Sequence, residues 1–329
     1  MPGSIASVFS EAEDFETALG QEGCLGLLVT GRGSFRARLT QIALHRLRLS
    51  DVEEQLTRIA FVSVPAGILL VLSTAGNAPS PVWAGIEIGP NEIITIQPDE
   101  RLHTRTDGPA IWSMLRMRER DLLEIGRAVA GPDFIIPGGV ARWQSSSAVI
   151  KELRDLCRAA IRTTRTRPFS MADVEATHAL EQQIIGTLIE CLSTIAEEET
   201  PTARRHRDML ARFDDLLHDG SGRSLSDISA ALGISDRLLR ECCKIHLGMT
   251  PVDYRRRQAM QRVYRELRGG NIETATVSEI ARRHGFTSLG RFAAEYHMIY
   301  GEIPSATLRS SYGVPPISFG GRRVRREVE

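Results

Sequence analysis

The polar side chains of a short predicted helix, at about residues 236–247, are of types that can recognise the edges of nucleic-acid bases. Leu239 and Cys243 lie four positions apart and should anchor this helix on a core. The side chains left for its exposed face are Asp236, Arg237, Arg240, Glu241 and Lys244. An arginine can donate two hydrogen bonds to a guanine in the major groove, which contributes about 1–3 kcal/mol of discrimination. We therefore predict that this face reads bases in double-stranded DNA.

A second predicted helix, at about residues 289–300, has a different exposed face. Its anchors should be Phe292 and Tyr296, again four positions apart. The exposed side chains are then Leu289, Gly290, Arg291, Ala294 and Glu295. With one arginine between a glycine and small apolar residues, this helix is expected to contribute phosphate contacts, reading of DNA shape and apolar contact with thymine methyl groups. The first helix is expected to carry most of the base recognition.

Both helices belong to a helix-turn-helix unit that the chain contains twice. Residues 224–228 (SLSDI) begin the first copy, and residues 276–280 (TVSEI) begin the second copy 52 positions later. A serine or threonine followed three positions later by an acidic residue predicts a capping box at each helix start. Gly233 and Gly285 stand where each first helix must end and the chain must reverse, which favours a positive φ.

The second helices of the two copies match at an offset of 53 positions, so the second turn is one residue longer. Their predicted N-caps are Ser235 and Ser288. A glycine and then a proline follow each helix and should end it. These terminating residues are Gly248 and Pro251 in the first copy, and Gly301 and Pro304 in the second.

A continuous helix is predicted between the two copies, at about residues 254–267. It begins with three consecutive arginines, Arg255, Arg256 and Arg257. Contact with DNA phosphates and solvation of the helix surface are both open interpretations of these arginines. Arg256 is kept among the candidate DNA contacts.

A spaced set of residues in the second copy and its neighbours carries a family resemblance. The set is Ile280, Ala281, Gly285, Phe286, Ser288, Leu289, Phe292, Tyr296, Tyr300, Gly301 and Pro304. It resembles the C-terminal signature of AraC/XylS-type transcriptional regulators, and the resemblance covers about residues 204–308. It implies a seven-helix DNA-binding domain whose two reading helices enter successive major-groove segments, about 34 Å apart. It also implies that Arg237, Arg240, Glu241, Gly290, Arg291 and Ala294 are the base-reading candidates; Lys244 is added from the exposed face.

Three positions depart from that family's pattern. Cys243 stands where the first copy usually has an aromatic anchor. Gln258 and Ala259 stand before Met260, where a basic residue is frequent. Ala294 replaces the usual long polar side chain of the second reading helix. These departures concern the preferred operator sequence rather than the fold.

The charge of the chain is unevenly distributed, although its formal net charge is +0. Residues 1–202 contain 19 Arg and Lys against 26 Asp and Glu, and residues 203–329 contain 22 against 15. This distribution is typical of a protein in which a basic module binds nucleic-acid phosphates and a second, acidic module does not. The five cysteines have no zinc-ligand spacing, which favours reduced thiols in a cytoplasmic protein. We expect no signal peptide at the N-terminus, and no apolar run is long enough to span a membrane.

The N-terminal half is expected to be a small β-domain. Residues 1–25 are interpreted as a loose lead-in with a short helix near 10–19. Short strands should follow over 26–135, separated by Gly, Pro and Asn turns, which is typical of a β-barrel or jelly roll. The family resemblance implies that this domain is a cupin-like barrel with a regulatory role. Trp83, Trp112 and Arg101 are possible walls of an effector pocket, although tryptophan is more often core packing.

An active, metal-dependent cupin enzyme is the rival interpretation of this half. Such a site needs several histidines and a carboxylate that converge on one metal. The half contains only His45, His103 and His178, and no His-x-His pair. We therefore expect no metal, no cofactor and no catalytic activity, since a barrel fold alone does not imply catalysis.

Two helices are expected between the β-domain and the duplicated units. Apolar residues recur at helical spacing over 147–165 and again from a capping-box-like start at 170–173 to about 196. The second helix has a wide apolar stripe: Val174, Leu180, Ile184, Ile185, Leu188, Cys191, Leu192 and Ile195. Internal packing and a dimer contact are both open interpretations of this stripe. Residues 197–201 are interpreted as a linker, a helix is expected at 204–217, and the tail beyond 313 is expected to be disordered and basic.

These expectations combine into one hypothesis. The chain is predicted to be a multidomain α+β protein with a cupin-like regulatory domain (1–145), a helical dimerisation region (146–200), a double helix-turn-helix domain (201–312) and a basic tail (313–329). It should regulate transcription by binding promoter DNA as a cytoplasmic homodimer. Its other expected partners are RNA polymerase and a small-molecule effector. The alternatives are the cupin-type metalloenzyme and an architectural DNA-binding protein without an effector.

Overall fold

The computed structural model describes residues 3–73, 80–166, 174–219, 222–269 and 276–310. The chain forms two compact units, which are described separately. The first unit is Met1–Val29 with Phe35–Thr250, and the second is Thr30–Ser34 with Pro251–Glu329. The division at residue 250 falls between the two helix-turn-helix copies. The expected functional boundaries near 145, 200 and 312 stay a prediction.

Strands and helices are numbered in chain order. The described strands are β1 (Gly3–Phe9), β2 (Cys24–Val29), β3 (Ala37–Ala43), β4 (Leu47–Glu54), β5 (Arg58–Ser63), β6 (Ile68–Ser73), β7 (Val82–Trp83), β8 (Ile86–Glu87), β9 (Glu92–Ile96), β10 (Arg101–Thr106), β11 (Ala110–Met117), β12 (Val140–Gln144) and β13 (Ala196–Glu198). The described α-helices are α1 (Ala12–Leu19), α2 (Glu119–Ala130), α3 (Ser147–Thr166), α4 (Val174–Leu192), α5 (Pro201–His218), α6 (Leu225–Leu232), α7 (Asp236–Leu247), α8 (Pro251–Gly269), α9 (Val277–Arg283), α10 (Leu289–Tyr300) and α11 (Pro304–Ser310).

Two antiparallel sheets form the β-domain of the first unit. One has the order β1-β3-β4-β11-β6-β9-β12-β13 and the other β2-β5-β10-β7-β8. They face each other across an apolar core that includes Leu39, Val71, Leu102 and Trp112. Among the described strands, no hydrogen-bonded pair joins one sheet to the other. The β-rich N-terminal domain is therefore confirmed, and the cupin-like barrel is present as two facing sheets that do not close.

The middle of the larger sheet is buried on both faces, which explains the unbroken apolar sequence of β6. Successive side chains of a strand point to opposite faces. Leu69 and Val71 face the core between the sheets. Ile68, Leu70 and Leu72 face a second core, which also includes residues of α2, α3 and α4. A strand covered on both sides needs an apolar residue at every position rather than at every second one.

The N-terminal lead-in and the segment after β11 differ from expectation. Residues 3–9, expected to be loose, form β1 and pair with β3 along their whole length. Residues 119–130, inside the segment expected to be strands, form helix α2. Gly126 of α2 packs against Phe134, because a Cβ at this position would lie 2.2 Å from the ring.

The expected linker at 197–201 is also wrong in part. Residues 196–198 form β13, which pairs with β12 and extends the larger sheet. Helix α5 then begins at Pro201, three residues earlier than expected, with Thr200 as its N-cap. The capping-box-like start at 170–173 and the basic tail beyond 313 lie outside the described residues.

The apolar stripe of α4 is mostly internal packing. Ile184, Ile185, Leu188, Cys191 and Leu192 are buried in the core shared with the larger sheet. The two ends of the expected stripe differ, because Val174 is 61% exposed and Ile195 is 94% exposed. Ile195 also lies beyond the end of the helix, at residue 192.

Helices α5, α6 and α7 complete the first unit, and α8 to α11 form the second. The described residues of 201–310 thus contain seven helices, as the family resemblance implies. The second unit has its own core, to which α8 contributes Met260 and Val263, α9 Ile280, α10 Phe292 and α11 Leu308.

Candidate nucleic-acid interface

The first helix-turn-helix copy has the caps that the sequence predicts. Ser224 Oγ accepts a hydrogen bond from the Asp227 amide at 3.1 Å, and Asp227 Oδ2 accepts one from the Ser224 amide at 3.1 Å. Gly233 ends α6 with a φ of 68°. Ser235 Oγ then accepts from the Leu238 amide at 3.2 Å and starts α7. These bonds satisfy amide groups that the helix itself leaves without partners, so each cap contributes about 1 kcal/mol.

Buried side chains hold α7 from one side. Leu239, Cys242, Cys243 and Leu247 are each at most 2% exposed. Burial raises the pKa of the Cys242 thiol to about 11, and it raises the pKa of Cys243 as well. Both thiols are therefore protonated near neutral pH and act as small apolar residues. Cys243 fills the position of the usual aromatic anchor as part of the buried face.

The opposite face of α7 carries the predicted base-reading side chains. Arg237, Arg240, Glu241 and Lys244 are all exposed. Their spacing of three, four and seven positions places them on one side of the helix. None of the four forms an ion pair or hydrogen bond with a side chain elsewhere in the described ranges. The two guanidinium groups therefore remain available to an external partner.

The second copy repeats the first cap but not the second. Thr276 Oγ1 accepts from the Glu279 amide at 3.2 Å, and Glu279 Oε2 accepts from the Thr276 amide at 3.0 Å. Gly285 has a φ of 87°, as expected for the turn. Ser288 lies at the N-cap of α10, but its side chain makes no capping hydrogen bond. The expected serine cap of this helix is therefore wrong in its chemistry, although its position is right.

Aromatic side chains hold α10. Phe292 is 1% exposed and Tyr296 is 0% exposed. The Tyr296 hydroxyl donates to Thr307 Oγ1 at 2.7 Å, which ties α10 to α11. The Tyr264 ring of α8 stacks on the Tyr300 ring with centroids 4.2 Å apart.

The exposed face of α10 is short of polar side chains. The three residues predicted to contact DNA, Gly290, Arg291 and Ala294, are all exposed. His297 and Met298 lie on the same side one turn later and are exposed too. Sequence reasoning missed these two, although their spacing of three and four positions from Ala294 was a usable signal.

Arg256, the remaining predicted DNA contact, has a partner within the protein. Its Nε donates to Glu295 Oε2 at 2.7 Å, and its Nη2 donates to the same oxygen at 2.5 Å. The guanidinium carbon also lies 5.3 Å from the centre of the Phe286 ring. The hydrogen bond to Glu295 raises the pKa of Arg256. This arrangement joins α8 to α10, and a role of Arg256 at DNA stays a prediction.

Known proteins are similar to part of this chain. The family model described as a helix-turn-helix domain matches residues 228–310. A XylDLEGF operon transcriptional activator of Pseudomonas putida is 35% identical over 86 residues, which are 26% of this chain and 27% of that protein. A second activator of that operon, from the same organism, is 33% identical over 132 residues, 38% of each chain.

Residues 228–310 form a helix-turn-helix domain, named the AraC/XylS-type domain after the family that it resembles.

A further relative and a solved structure are also similar to this chain. A probable thc operon regulatory protein of Rhodococcus erythropolis is 33% identical over 87 residues, 26% of each chain. All three matches thus span well under two thirds of the curated relatives. The crystal structure of the AraC-like transcriptional activator CuxR covers 80% of this chain at 14% identity, with a TM-score of 0.42.

The possible effector-pocket residues of the β-domain lie in two places. Trp83 and Trp112 meet in the core between the sheets, with ring centroids 5.3 Å apart. Arg101 lies on the outer face of the smaller sheet and pairs with Asp215 of α5. The three residues therefore do not line one pocket.

A buried ion pair stands next to the two tryptophans, and sequence reasoning missed it. Glu54 and Arg58 are each 1% exposed at their side chains, and Arg58 Nη2 donates to Glu54 Oε1 at 2.9 Å. The Trp112 indole N–H donates to the same oxygen at 2.7 Å. Arg58 also donates to Thr104 Oγ1. An i, i+4 pair at a strand junction has no local sequence signal for burial, so this cluster could be found only in three dimensions.

The histidines of the N-terminal half do not share a site. The His45 and His178 rings lie 5.8 Å apart. His103 is buried elsewhere and stacks on Phe61 with centroids 4.8 Å apart. Within the described ranges, no group of three or more His, Cys, Asp or Glu side chains could hold a metal ion. In the same ranges, no helix has the length and apolar character required to cross a membrane.

Proposed function

We propose that this chain is a DNA-binding transcriptional regulator that acts on promoters through both helix-turn-helix copies. One observation carries the proposal. Arg237 and Arg240 on α7 are both exposed and form no ion pair among the described residues, and they belong to a capped unit of the AraC/XylS-type domain. The relatives, described as operon activators or regulatory proteins, support the same role.

Helix α7 supplies most of the base recognition in this proposal. An α-helix fits the major groove, where each base pair presents a distinct pattern of donors and acceptors. Arg237 and Arg240 can each donate two hydrogen bonds to a guanine, and Glu241 can accept from a cytosine amino group. Lys244, nearer the end of the helix, suits a phosphate. All four side chains are free to turn towards DNA without breaking an internal ion pair.

Helix α10 fixes the orientation of the protein on DNA more than it selects the DNA sequence. Gly290 and Ala294 have little or no side chain, so the helix backbone can approach the groove closely. Ala294 and Met298 offer apolar contact to thymine methyl groups. Arg291 is the one exposed arginine on this face and suits a phosphate, which fixes orientation without reading sequence.

The β-domain is the sensing part in this proposal. Its core between the sheets contains Trp83, whose indole nitrogen has no hydrogen-bond partner among the described residues. Buried polar groups of this kind are normally satisfied. A small effector with an acceptor atom would satisfy it beside Trp112. The effector would change DNA binding to the extent that it binds two conformations with different affinity.

The proposed regulator works in the cytoplasm as a homodimer, without a cofactor or a catalytic step. It contacts RNA polymerase at the promoter. Helices α3 and α4 are the proposed dimer region, through residues outside the apolar stripe that packs on the larger sheet.

Genome-wide binding of the native protein tests the reading role of α7. Arg240→Ala should remove or strongly weaken the strongest sites, because a guanine contact is lost. Arg120→Ala is the matched control, since Arg120 is an exposed arginine on α2, outside the AraC/XylS-type domain. The assignment of α7 fails when Arg240→Ala retains the same sites at the same strength as Arg120→Ala.

Salt dependence and thermal shift test the two remaining parts. DNA affinity should fall steeply with salt, because phosphate contacts release counterions; salt-insensitive or absent binding would contradict a DNA-binding role. A panel of metabolites should contain one that raises the melting temperature, since a ligand at 100 times its Kd stabilises by about 2.7 kcal/mol. Unchanged melting across the panel would favour an architectural protein without an effector.

A further inference from the structure

Strand β10 of the smaller sheet has two faces with different partners. Leu102, Thr104 and Thr106 are each at most 1% exposed and face the core between the sheets. Arg101, His103 and Arg105 alternate with them and face outward. On that side they meet α5 and α7, which belong to the same compact unit. One strand thus separates the core of the β-domain from the first reading helix.

The outward face of β10 first binds α5. Arg101 donates two hydrogen bonds to the Asp215 carboxylate, at 2.9 and 2.5 Å. The Arg101 guanidinium also lies 4.9 Å from the centre of the Phe61 ring. Next to it, His103 Nε2 lies 3.9 Å from Asp214 Oδ2. These contacts fix the helix from which α6 and α7 follow.

Arg105 reaches the C-terminal end of α7 itself. Its Nη1 donates to the Ile245 carbonyl oxygen at 3.0 Å, while its Nε donates to Asp107 Oδ2 at 3.2 Å. Carbonyls in the last turn of a helix lack partners within the helix, and the helix dipole favours a cation there. Gly248 follows with a φ of 71°, and a Cβ at this position would lie 3.2 Å from Arg105 Nη1.

A second close approach lies beside the arginine. The His246 side chain is buried against Gly85, in the turn between β7 and β8. A Cβ at Gly85 would lie 3.0 Å from His246 Cε1, and the φ of 81° at Gly85 also favours glycine. The end of α7 therefore contacts the β-domain through both a charge and a buried ring.

We infer that Arg105 is a positioning residue for DNA reading: it caps the C-terminal end of α7 and holds this helix against the β-domain. The predicted reading side chains, Arg237 to Lys244, lie on the part of α7 that precedes the held end. A shift at the C-terminal end would therefore displace them relative to the bases, and recognition geometry tolerates only about 0.5 Å of error. Because β10 also faces the core between the sheets, a change there can reach α7 through one strand. This inference rests on the proposed function only for the reading role of α7.

Hydrogen exchange of the full chain, without DNA, tests the capping contact. Arg105→Ala should raise amide exchange over residues 236–248 at least tenfold, with exchange in β3 and β4 unchanged. Arg105→Lys keeps the cation near the Ile245 carbonyl and should restore at least part of the protection. Arg120→Ala is the control for loss of an exposed arginine. Unchanged exchange in Arg105→Ala overturns the inference.

The ratio of specific to non-specific DNA affinity tests the positioning role. DNA selected by the native protein and a scrambled duplex are used at one salt concentration. Arg105→Ala should lower the ratio at least threefold, and Arg105→Lys should recover part of it. A variant that is merely less folded loses both affinities equally and leaves the ratio unchanged, which would overturn the positioning role. If the native protein binds neither duplex, the proposed function fails, while the exchange result still decides whether Arg105 holds α7.

Discussion

The two helix-turn-helix copies share a local sequence pattern but differ in what holds the second helix of each copy. Helix α7 is held by buried leucines and two buried cysteines, Cys242 and Cys243, and its C-terminal end contacts β10 of the β-domain. Helix α10 rests on an aromatic cluster of its own unit and on the Arg256–Glu295 pair. The exposed face of α7 carries unpaired charges, whereas that of α10 is small and apolar apart from Arg291 and His297.

This difference shows that a duplicated motif need not have a duplicated role. Capping boxes and turns are local features, so both copies retain them. The support of each reading helix comes from distant residues, so it can diverge without loss of the motif. In the proposed function, the first copy is both the sequence reader and the copy that the β-domain can influence.

The largest expected effect is a loss of stability when a large side chain is removed from the core of either unit. Phe292→Ala should destabilise the second unit by about 3–5 kcal/mol, because it leaves a cavity among aromatic side chains. Leu239→Ala is the counterpart in the first unit, with an expected cost of about 2–5 kcal/mol. Calorimetry should show the loss in a different transition for each variant. One shared transition that shifts equally in both variants would contradict independent cores.

Protonation of His246 should destabilise the first unit as the pH falls. Burial lowers the pKa of His246 to about 4, and His103, His206, Arg105 and Arg207 add to the positive field around it. An unfolded histidine has a pKa of about 6.5, so the unfolded state takes up the proton first as the pH falls. The contribution of His246 to the free energy of unfolding is fully present above pH 6.5. It decreases by up to about 3 kcal/mol as the pH falls from 6.5 to 4.

A matched variant isolates that histidine. His246→Gln should flatten the loss of stability between pH 6.5 and 4, measured by urea unfolding. Asp51 acts in the opposite direction, since burial raises its pKa to about 6 and its protonation favours folding as the pH falls. Asp51 is present in both the native protein and His246→Gln, so its contribution cancels when their unfolding free energies are subtracted. An equal acid slope in the native protein and the variant would exclude His246 as the cause.

DNA affinity should distinguish the two reading faces. Arg240→Ala is expected to cost about 1–3 kcal/mol on selected DNA and to relax the preference at one base pair. Arg291→Ala should weaken binding about equally across sequences and reduce the salt slope by about 1. Competition with single-base variants of the selected site measures both effects. The assignment reverses if Arg291→Ala alters sequence preference and Arg240→Ala does not.

The smallest expected difference concerns the two serine caps. Ser235→Ala should cost about 1 kcal/mol, because its hydroxyl accepts a hydrogen bond from the Leu238 amide. Ser288→Ala should cost markedly less, since its hydroxyl makes no capping bond. Denaturant unfolding of both variants gives the comparison. Equal losses would show that Ser288 does cap α10 in solution.

The helix-turn-helix copies could be predicted closely because their signals are local. The bounds of α7 and α10, both capping boxes and both turn glycines follow from residues within a few positions of one another. The same holds for the buried anchors Phe292 and Tyr296, and the family resemblance added the assignment to the AraC/XylS type. Ser288 shows the limit of such signals, because a residue at the right position need not make the expected bond.

Contacts between distant residues could not be predicted. Strand β13 exists because it pairs with β12, and β1 because it pairs with β3, while neither short segment is distinctive alone. Arg256 was a candidate DNA contact by type, and only the fold places Glu295 beside it. Arg101 was a candidate pocket wall, and the alternation of β10 turns it outward to Asp215.

The sequence alone determined that this chain contains two helix-turn-helix units that begin with capping boxes, and that Arg237, Arg240, Arg291 and Ala294 are exposed on their second helices. Periodicity and capping depend on neighbours within one or two helical turns, so composition and spacing are sufficient. Only the tertiary structure decided that Arg256 is tied to Glu295 and that Arg105 caps α7. Both contacts join residues far apart in the chain, and their hydrogen bonds depend on distances that no local pattern encodes.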